Sequence, residues 1–129
     1  MTITFRAASM HVRQDEDHAL LGLSDHNAFP THYLVFMRGL RPRAGIAEEV
    51  TESPYLEYAS KDQAGFGCIK NVQLKPHRLA IRVDRRTCPA LPDTEFVVEL
   101  DGNMERMGKI ADLLRRILGD AARLTISAA

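Results

Sequence analysis

Five histidines are the residues of this chain best suited to proton transfer, because imidazole titrates near neutral pH. Asp25 directly precedes one of them, His26, and a neighbouring carboxylate can orient an imidazole as a general base. Adjacent side chains on an extended segment point to opposite faces, so this dipeptide makes a poor dyad. We therefore interpret the histidines as polar loop residues. They are His11, His18, His26, His32 and His77. A small enzyme that uses a loop histidine is an alternative, which His26→Ala and His32→Ala would test through loss of turnover.

The same loop offers Asp25, His26 and His32 as metal ligands. Three ligands from one flexible loop, without cysteine or a helical HxxxH pair, form a weak site. The cysteines, Cys68 and Cys88, are too widely spaced for a CxxC redox or zinc motif, and the sequence places no base beside either thiol. We predict reduced structural thiols, no metal and no cofactor.

A glycine-bracketed segment, QAGFG at Gln63 to Gly67, has the backbone freedom of a phosphate-binding loop. It lacks a following GK[ST] and the helix that would present its N-terminus to a phosphate, so nucleotide binding is disfavoured. We predict that Gly65 and Gly67 form a structural turn or bulge leading into a hairpin, with Phe66 packed inward. A recognition role for the loop is compatible with this arrangement.

Composition sets the broad class of the protein. The 129 residues are enough for one domain with an ordinary core. The 17 basic and 17 acidic side chains cancel, so the overall field would attract neither nucleic acid nor an anionic membrane. The N-terminal segment is charged and alternating, unlike a signal peptide, and no segment has the length of a membrane span. We expect a cytoplasmic protein that binds neither nucleic acid nor membrane.

Two alternating segments after the glycine-rich loop predict a β-hairpin around Pro76. If residues 75–78 form the loop, Leu74 faces Leu79 and Val72 faces Ile81. Ile69 is out of phase with this pattern, which predicts a β-bulge near residues 70–71. The register of the hairpin is therefore set by its apolar residues.

The remaining pattern is mostly strands followed by one helix. After a first strand at residues 2–6, an acidic turn leads into a second at residues 19–23, and we expect the two to be neighbours. A long loop follows at residues 39–54, with one helical turn expected at residues 47–50. The other expected strands are 33–38, 55–60 and 94–100. A helical stripe then runs from an N-cap at Asp101 or Asn103 to Gly119, and it comprises Met104, Met107, Ala111, Leu114, Ile117 and Leu118.

These elements predict an α+β domain over residues 1–119, with a mostly antiparallel sheet of about six or seven strands and a C-terminal helix packed on one face. Residues 120–129 are small and weakly patterned, so we expect a flexible tail there.

Three motifs together resemble the immunity protein 10 family of bacterial polymorphic toxin systems: DEDHALLGLSD at residues 15–25, YLVFMR at residues 33–38, and DQAGFGCIKNVQL followed by HRLAIRV at residues 62–83. The order and spacing of the motifs also match, over residues 3–118. The resemblance implies a non-enzymatic antitoxin that binds a cognate toxin domain inside the cell and blocks its active site or an essential surface. The monomeric or homodimeric state is left open.

A toxin-binding surface needs aromatic anchors and complementary local charge. The candidate contact residues are Asp15, Glu16, Asp17, Asp25, Tyr55, Tyr58, Gln63 and Phe66. Acidic turns would suit a basic toxin. A structural subunit that self-associates through a sheet edge is a further alternative, which concentration-dependent mass would reveal.

Overall fold

The structure is a computed structural model that describes residues 2–16, 18–26, 28, 30–39 and 53–127. Within these ranges the chain forms two five-stranded sheets and one helix. In chain order the elements are β1 (Thr2–Arg6), β2 (Ser9–Gln14), β3 (His18–Ser24), β4 (Tyr33–Gly39), β5 (Tyr55–Tyr58), β6 (Ser60–Phe66), β7 (Ile69–Lys75), β8 (Arg78–Val83), β9 (Glu95–Glu99), α1 (Met104–Leu118) and β10 (Arg123–Ile126). The α+β class is as predicted, but the described part of the chain has ten strands instead of six or seven.

One sheet, which we name the mixed sheet, has the strand order β1-β9-β8-β7-β10. Its central strand β8 is antiparallel to both neighbours, β7 and β9, whereas β1 and β10 each pair in parallel with their neighbour. The predicted hairpin forms its centre: Leu74 lies opposite Leu79 and Val72 opposite Ile81. The register shifts between Ile69 and Asn71, where the bulge was expected. The apolar pattern therefore predicted this hairpin correctly.

The other sheet, which we name the antiparallel sheet, has the order β2-β3-β4-β5-β6, with every strand antiparallel to its neighbours in sequence. Its inner face buries alternate side chains, among them Leu21, Leu34, Phe36 and Leu56, none of which is exposed to solvent. Period-2 burial of this kind follows from the pleat of a strand, which sends successive side chains to opposite faces. The side chains between them form the outer face of the sheet.

The helix α1 completes the core by packing against β3 and β4 of the antiparallel sheet and β7 and β10 of the mixed sheet. The buried side chains of both sheets and the helix form one hydrophobic cluster. The Asn103 side chain caps the helix by accepting the Arg106 N–H at 3.0 Å, and Gly119 ends it at a φ of 50°. Arg38 donates to the Ile117 carbonyl at 3.2 Å, which satisfies one of the free acceptors of the last turn.

Several local predictions differ from the structure. β1 pairs with β9, and β3 pairs with β2 and β4, so the first two expected strands are not neighbours. The helix packs on both sheets instead of on one face of a single sheet. Its first methionine, Met104, is 57% exposed and lies outside the buried stripe. The expected helical turn at 47–50 and most of its loop lie outside the described residues.

The segment 120–129, predicted as a flexible tail, contains β10. Leu124 and Ile126 lie beside Val72 and Leu74 in the parallel pairing with β7. Leu124 packs against the core, whereas Ile126 is 37% exposed. A four-residue edge strand carries too short an alternation to be recognised without knowledge of its partner.

Candidate protein-binding surface

The loop between β3 and β4 uses its polar side chains to hold its own backbone. The Asp25 carboxylate accepts the N–H groups of Thr31 and His32 at 3.0 and 3.2 Å. His26 accepts the N–H of Ala28 at 3.1 Å through Nδ1. Asp25 therefore supports the turn and does not orient His26 as a dyad would. Over the described ranges, no cluster of three or more histidine, cysteine or acidic side chains is arranged to hold a metal ion.

Tyr58, a predicted contact residue, lies in the core. It is 7% exposed, its hydroxyl hydrogen-bonds with the His32 ring, and its own ring lies 5.2 Å from that of Phe96 on the mixed sheet. Burial, and to a lesser extent the charge of Asp25, raises the pKa of the Tyr58 hydroxyl. Gln63 donates to the Tyr58 carbonyl at 3.1 Å. Tyr58 therefore helps to join the sheets, whereas Gln63 links β6 to β5 within the antiparallel sheet.

The acidic turn lies between β2 and β3. Asp15 and Glu16 are exposed there, while Asp17 lies outside the described residues. The Asp15 carboxylate accepts the His18 N–H at 2.8 Å. The backbone carbonyl oxygen of Asp15 accepts a hydrogen bond from Arg116 of α1 at 3.4 Å. The turn is thus held in place against the helix and presents acidic side chains at one end of the antiparallel sheet.

Over β3 to β6 the outer face of the antiparallel sheet is apolar and aromatic, whereas the edge strand β2 adds His11 and Arg13 to it. Phe66 is 43% exposed, and its ring lies 5.0 Å from that of Tyr55 on the neighbouring strand. The prediction that Phe66 packs inward is therefore wrong, because β6 extends through Gly65 to Phe66 and its pleat turns this ring outward. The strand register places half-buried apolar side chains beside this pair. We name the resulting surface the aromatic face. It comprises Leu20, Tyr33, Val35, Met37, Tyr55 and Phe66.

The Glu57 carboxylate lies in the middle of the aromatic face. Tyr33 donates to Glu57 Oε2 at 2.5 Å, and Tyr55 donates to Glu57 Oε1 at 2.6 Å. Burial, followed by the hydrogen bond to Glu57 and its charge, raises the pKa of Tyr33 to about 12 and raises that of Tyr55 as well. Both tyrosines are therefore protonated donors at neutral pH, and they hold the carboxylate in a fixed orientation.

The outer face of the mixed sheet has a different character. Arg82 Nη2 lies 3.7 Å from Glu95 Oε2, and Thr2 donates to the same carboxylate at 3.0 Å. Four residues from Arg82 along β8, Arg78 lies opposite Glu99 of β9. Opposite charges facing each other across strands are typical of a solvated sheet face. The contrast singles out the aromatic face as the surface suited to contact with another protein.

The glycine-rich segment joins the two sheets. Gly65 lies in β6 against Cys88, close enough that a Cβ at Gly65 would overlap Cys88 Sγ. Gly67, at a φ of 69°, turns the chain into the mixed sheet. Cys68 and Cys88 are both buried and unpaired, and burial together with the hydrogen bond to Cys88 raises the pKa of the Cys68 thiol. These features fit the predicted structural roles of the glycines and thiols.

Sequence reasoning named Tyr55 and Phe66, which the fold brings together, but it missed Tyr33, Glu57 and Met37. A signal was present in the YLVFMR segment, which is apolar on both faces. In a parallel sheet such a strand is covered on both sides, whereas in an antiparallel sheet it leaves an apolar surface facing outward.

Fold and surface place the chain among α+β proteins of two sheets and a helix that carry an aromatic face suited to protein contact. A sequence model of the family described as immunity protein 10 matches residues 4–107, and the chain belongs to this family. Immunity proteins in general act without catalysis. Searches of curated proteins and of solved structures return no match. The structure contains, in its described ranges, no helix long and apolar enough to cross a membrane.

Proposed function

We propose that this protein is the antitoxin of a bacterial polymorphic toxin system, which binds a cognate toxin domain in the cytoplasm and neutralises it by covering an essential surface. The observation that carries this proposal is membership of the immunity protein 10 family across residues 4–107. The proposal assigns no bond-making step to the chain itself.

The arrangement of the antiparallel sheet supports a binding role. Phe66 and Tyr55 share an outward-facing row with Met37 and Leu20, and the β2–β3 turn that carries Asp15 lies at the same end of this sheet. Strands are spaced about 4.8 Å apart, so the turn and the Phe66 ring are separated by roughly 15–20 Å. A standard protein interface, with about 800 Å² on each partner, spans that distance.

The polar residues of the β3–β4 loop support a non-enzymatic role. His32 is engaged by Phe5 and Tyr58, with its ring stacked 5.8 Å from that of Phe5, and the Asp25 carboxylate is engaged by backbone N–H groups. Side chains used in this way stabilise the loop and leave little freedom for proton transfer to a substrate.

The experiment that tests the proposal is co-expression with the toxin domain encoded by the adjacent gene. Cells that produce the toxin domain alone should stop growing, and cells that also produce this protein should survive. Purification of an inactivated toxin domain with this protein should give a stoichiometric complex. Failure both to rescue growth and to form the complex would refute the proposal. So would turnover of a metabolite by the purified protein at substoichiometric amounts.

A further inference from the structure

The environment of Glu57 indicates what kind of side chain the aromatic face receives. Each carboxylate oxygen accepts one tyrosine hydroxyl, and a carboxylate has about four acceptor positions, so roughly two stay open. Neither tyrosine brings a positive charge to Glu57. Among the residues that the structure describes, no lysine, arginine or histidine lies within ion-pair distance of this carboxylate. Among the described residues, Glu57 therefore has no cationic partner, and it keeps part of its hydrogen-bonding capacity.

The Glu57 carboxylate lies in apolar surroundings. Val35 is directly opposite Glu57 on β4, and Ala64 is opposite it on β6. The Glu57 side chain is half-buried, and the tyrosine hydroxyls limit its rotation. When a partner covers the face, the carboxylate loses its remaining water, and this loss is unfavourable unless a cation replaces the water. Charge complementarity therefore requires a positive group on the partner.

A guanidinium fits this site better than an ammonium. Its planar fork of N–H donors matches a carboxylate whose orientation is already fixed, and its flat surface stacks on aromatic rings. The rings of Tyr33 and Tyr55 flank the position it would occupy, and Phe66 packs beside Tyr55. Arginine also loses its hydration more readily than lysine, which favours it in a site that becomes buried on binding.

We propose that the aromatic face is the toxin-binding surface and that Glu57, held by Tyr33 and Tyr55, receives an arginine side chain of the toxin domain. This inference rests on the proposed antitoxin function. It assigns the partner a basic contact patch centred on that arginine, and it makes the aromatic rings the apolar border of the site.

The test compares Glu57→Gln with Glu99→Gln. Each variant replaces one carboxylate on an outer sheet face by a neutral group of equal size, but Glu99 lies on the mixed sheet. Affinity for the inactivated toxin domain of the adjacent gene is measured by calorimetry, and urea denaturation checks that each variant is folded. Glu57→Gln should weaken binding about 30-fold or more, the loss typical when one member of a buried ion pair is removed. Glu99→Gln should change it by less than about threefold.

A second variant, Phe66→Ala, tests the same face without removing its charge. Phe66 is 43% exposed, so the protein should fold without its ring, whereas the affinity should fall about tenfold or more if the ring is an anchor. This variant decides the location of the interface even if Glu57→Gln fails to fold.

The outcomes separate the two proposals. If the wild-type protein neither binds the toxin domain nor rescues growth, the antitoxin function fails, and the assignment of the face fails with it. If the wild type binds and Phe66→Ala binds equally well, only the assignment of the face is overturned. If Phe66→Ala binds weakly but Glu57→Gln binds as tightly as the wild type, the arginine contact is overturned. A wild-type homodimer that Phe66→Ala dissociates would instead identify the face as a self-association surface.

Discussion

Replacing Gly65 by alanine should destabilise the protein, because the added methyl group has no space. A Cβ at Gly65 would overlap Cys88 Sγ and lie 2.9 Å from Cys88 Cβ. Cys88 is 4% exposed, so its short side chain has little room to move. Overpacking of this kind costs about 1–3 kcal/mol. Replacing a strand glycine otherwise recovers about 0.5–1 kcal/mol of backbone entropy, so the expected net loss is about 1 kcal/mol and at most about 2.5 kcal/mol.

Urea denaturation followed by circular dichroism measures this loss. With a typical dependence of about 2 kcal/mol per M, the midpoint should fall by roughly 0.5 M. Gly22→Ala is the matched control. Gly22 also lies in a strand, but a Cβ there would have His11 Cβ at 3.6 Å as its nearest neighbour, an ordinary contact. Its midpoint should stay constant or rise.

A double-mutant cycle identifies the cause. Cys88→Ala removes the overlapping sulfur, so Gly65→Ala should cost less in that background than in the wild type, with a coupling of at least about 0.5 kcal/mol. Additive effects of the two substitutions would show that Cys88 is not the obstacle. Equal midpoints for Gly65→Ala and Gly22→Ala would refute the packing argument altogether.

Three further predictions concern the helix, the tyrosines and the acidic turn. Asn103→Ala should lower the free energy of unfolding by about 1 kcal/mol, since it removes the helix cap, while Asn103→Asp should retain stability in the same urea assay. The free energy of unfolding should fall between pH 10 and about pH 12, because the unfolded chain releases the Tyr33 proton near pH 10 whereas the folded protein retains it to about pH 12. Tyr33→Phe should reduce this fall. An identical pH profile for the variant and the wild type would contradict the assignment. Changing Asp15, Glu16 and Asp17 to lysine should slow association with the toxin domain at low salt in stopped-flow measurements, and unchanged association rates would exclude a steering role.

Local apolar patterns were sufficient to predict the hairpin and the helix. Leu74 and Leu79 are close in sequence, and a short turn fixes their pairing. Asn103 and Gly119 mark the ends of the helix by their own chemistry, because one caps the first turn and the other adopts a positive φ.

The parts that could not be predicted depend on distant pairing. β2 buries none of its side chains fully, so its sequence has little apolar alternation to detect. The Glu57 site needs the register between β4 and β5, which brings Tyr33 to a carboxylate 24 positions away. Tyr55 and Phe66 were recognisable as aromatic anchors, but only the pairing of β5 with β6 shows that both rings point outward.

The mixed sheet has a consequence for the order in which the protein can assemble. Thr2 of β1 hydrogen-bonds with Glu95, 93 positions further along the chain. The antiparallel sheet, by contrast, is made from strands that follow one another between residues 9 and 66. On the ribosome, the five strands of the antiparallel sheet, which carries the aromatic face, are therefore all available before β9 has been synthesised. The first strand to be translated, β1, can therefore pair only after β9 has been synthesised.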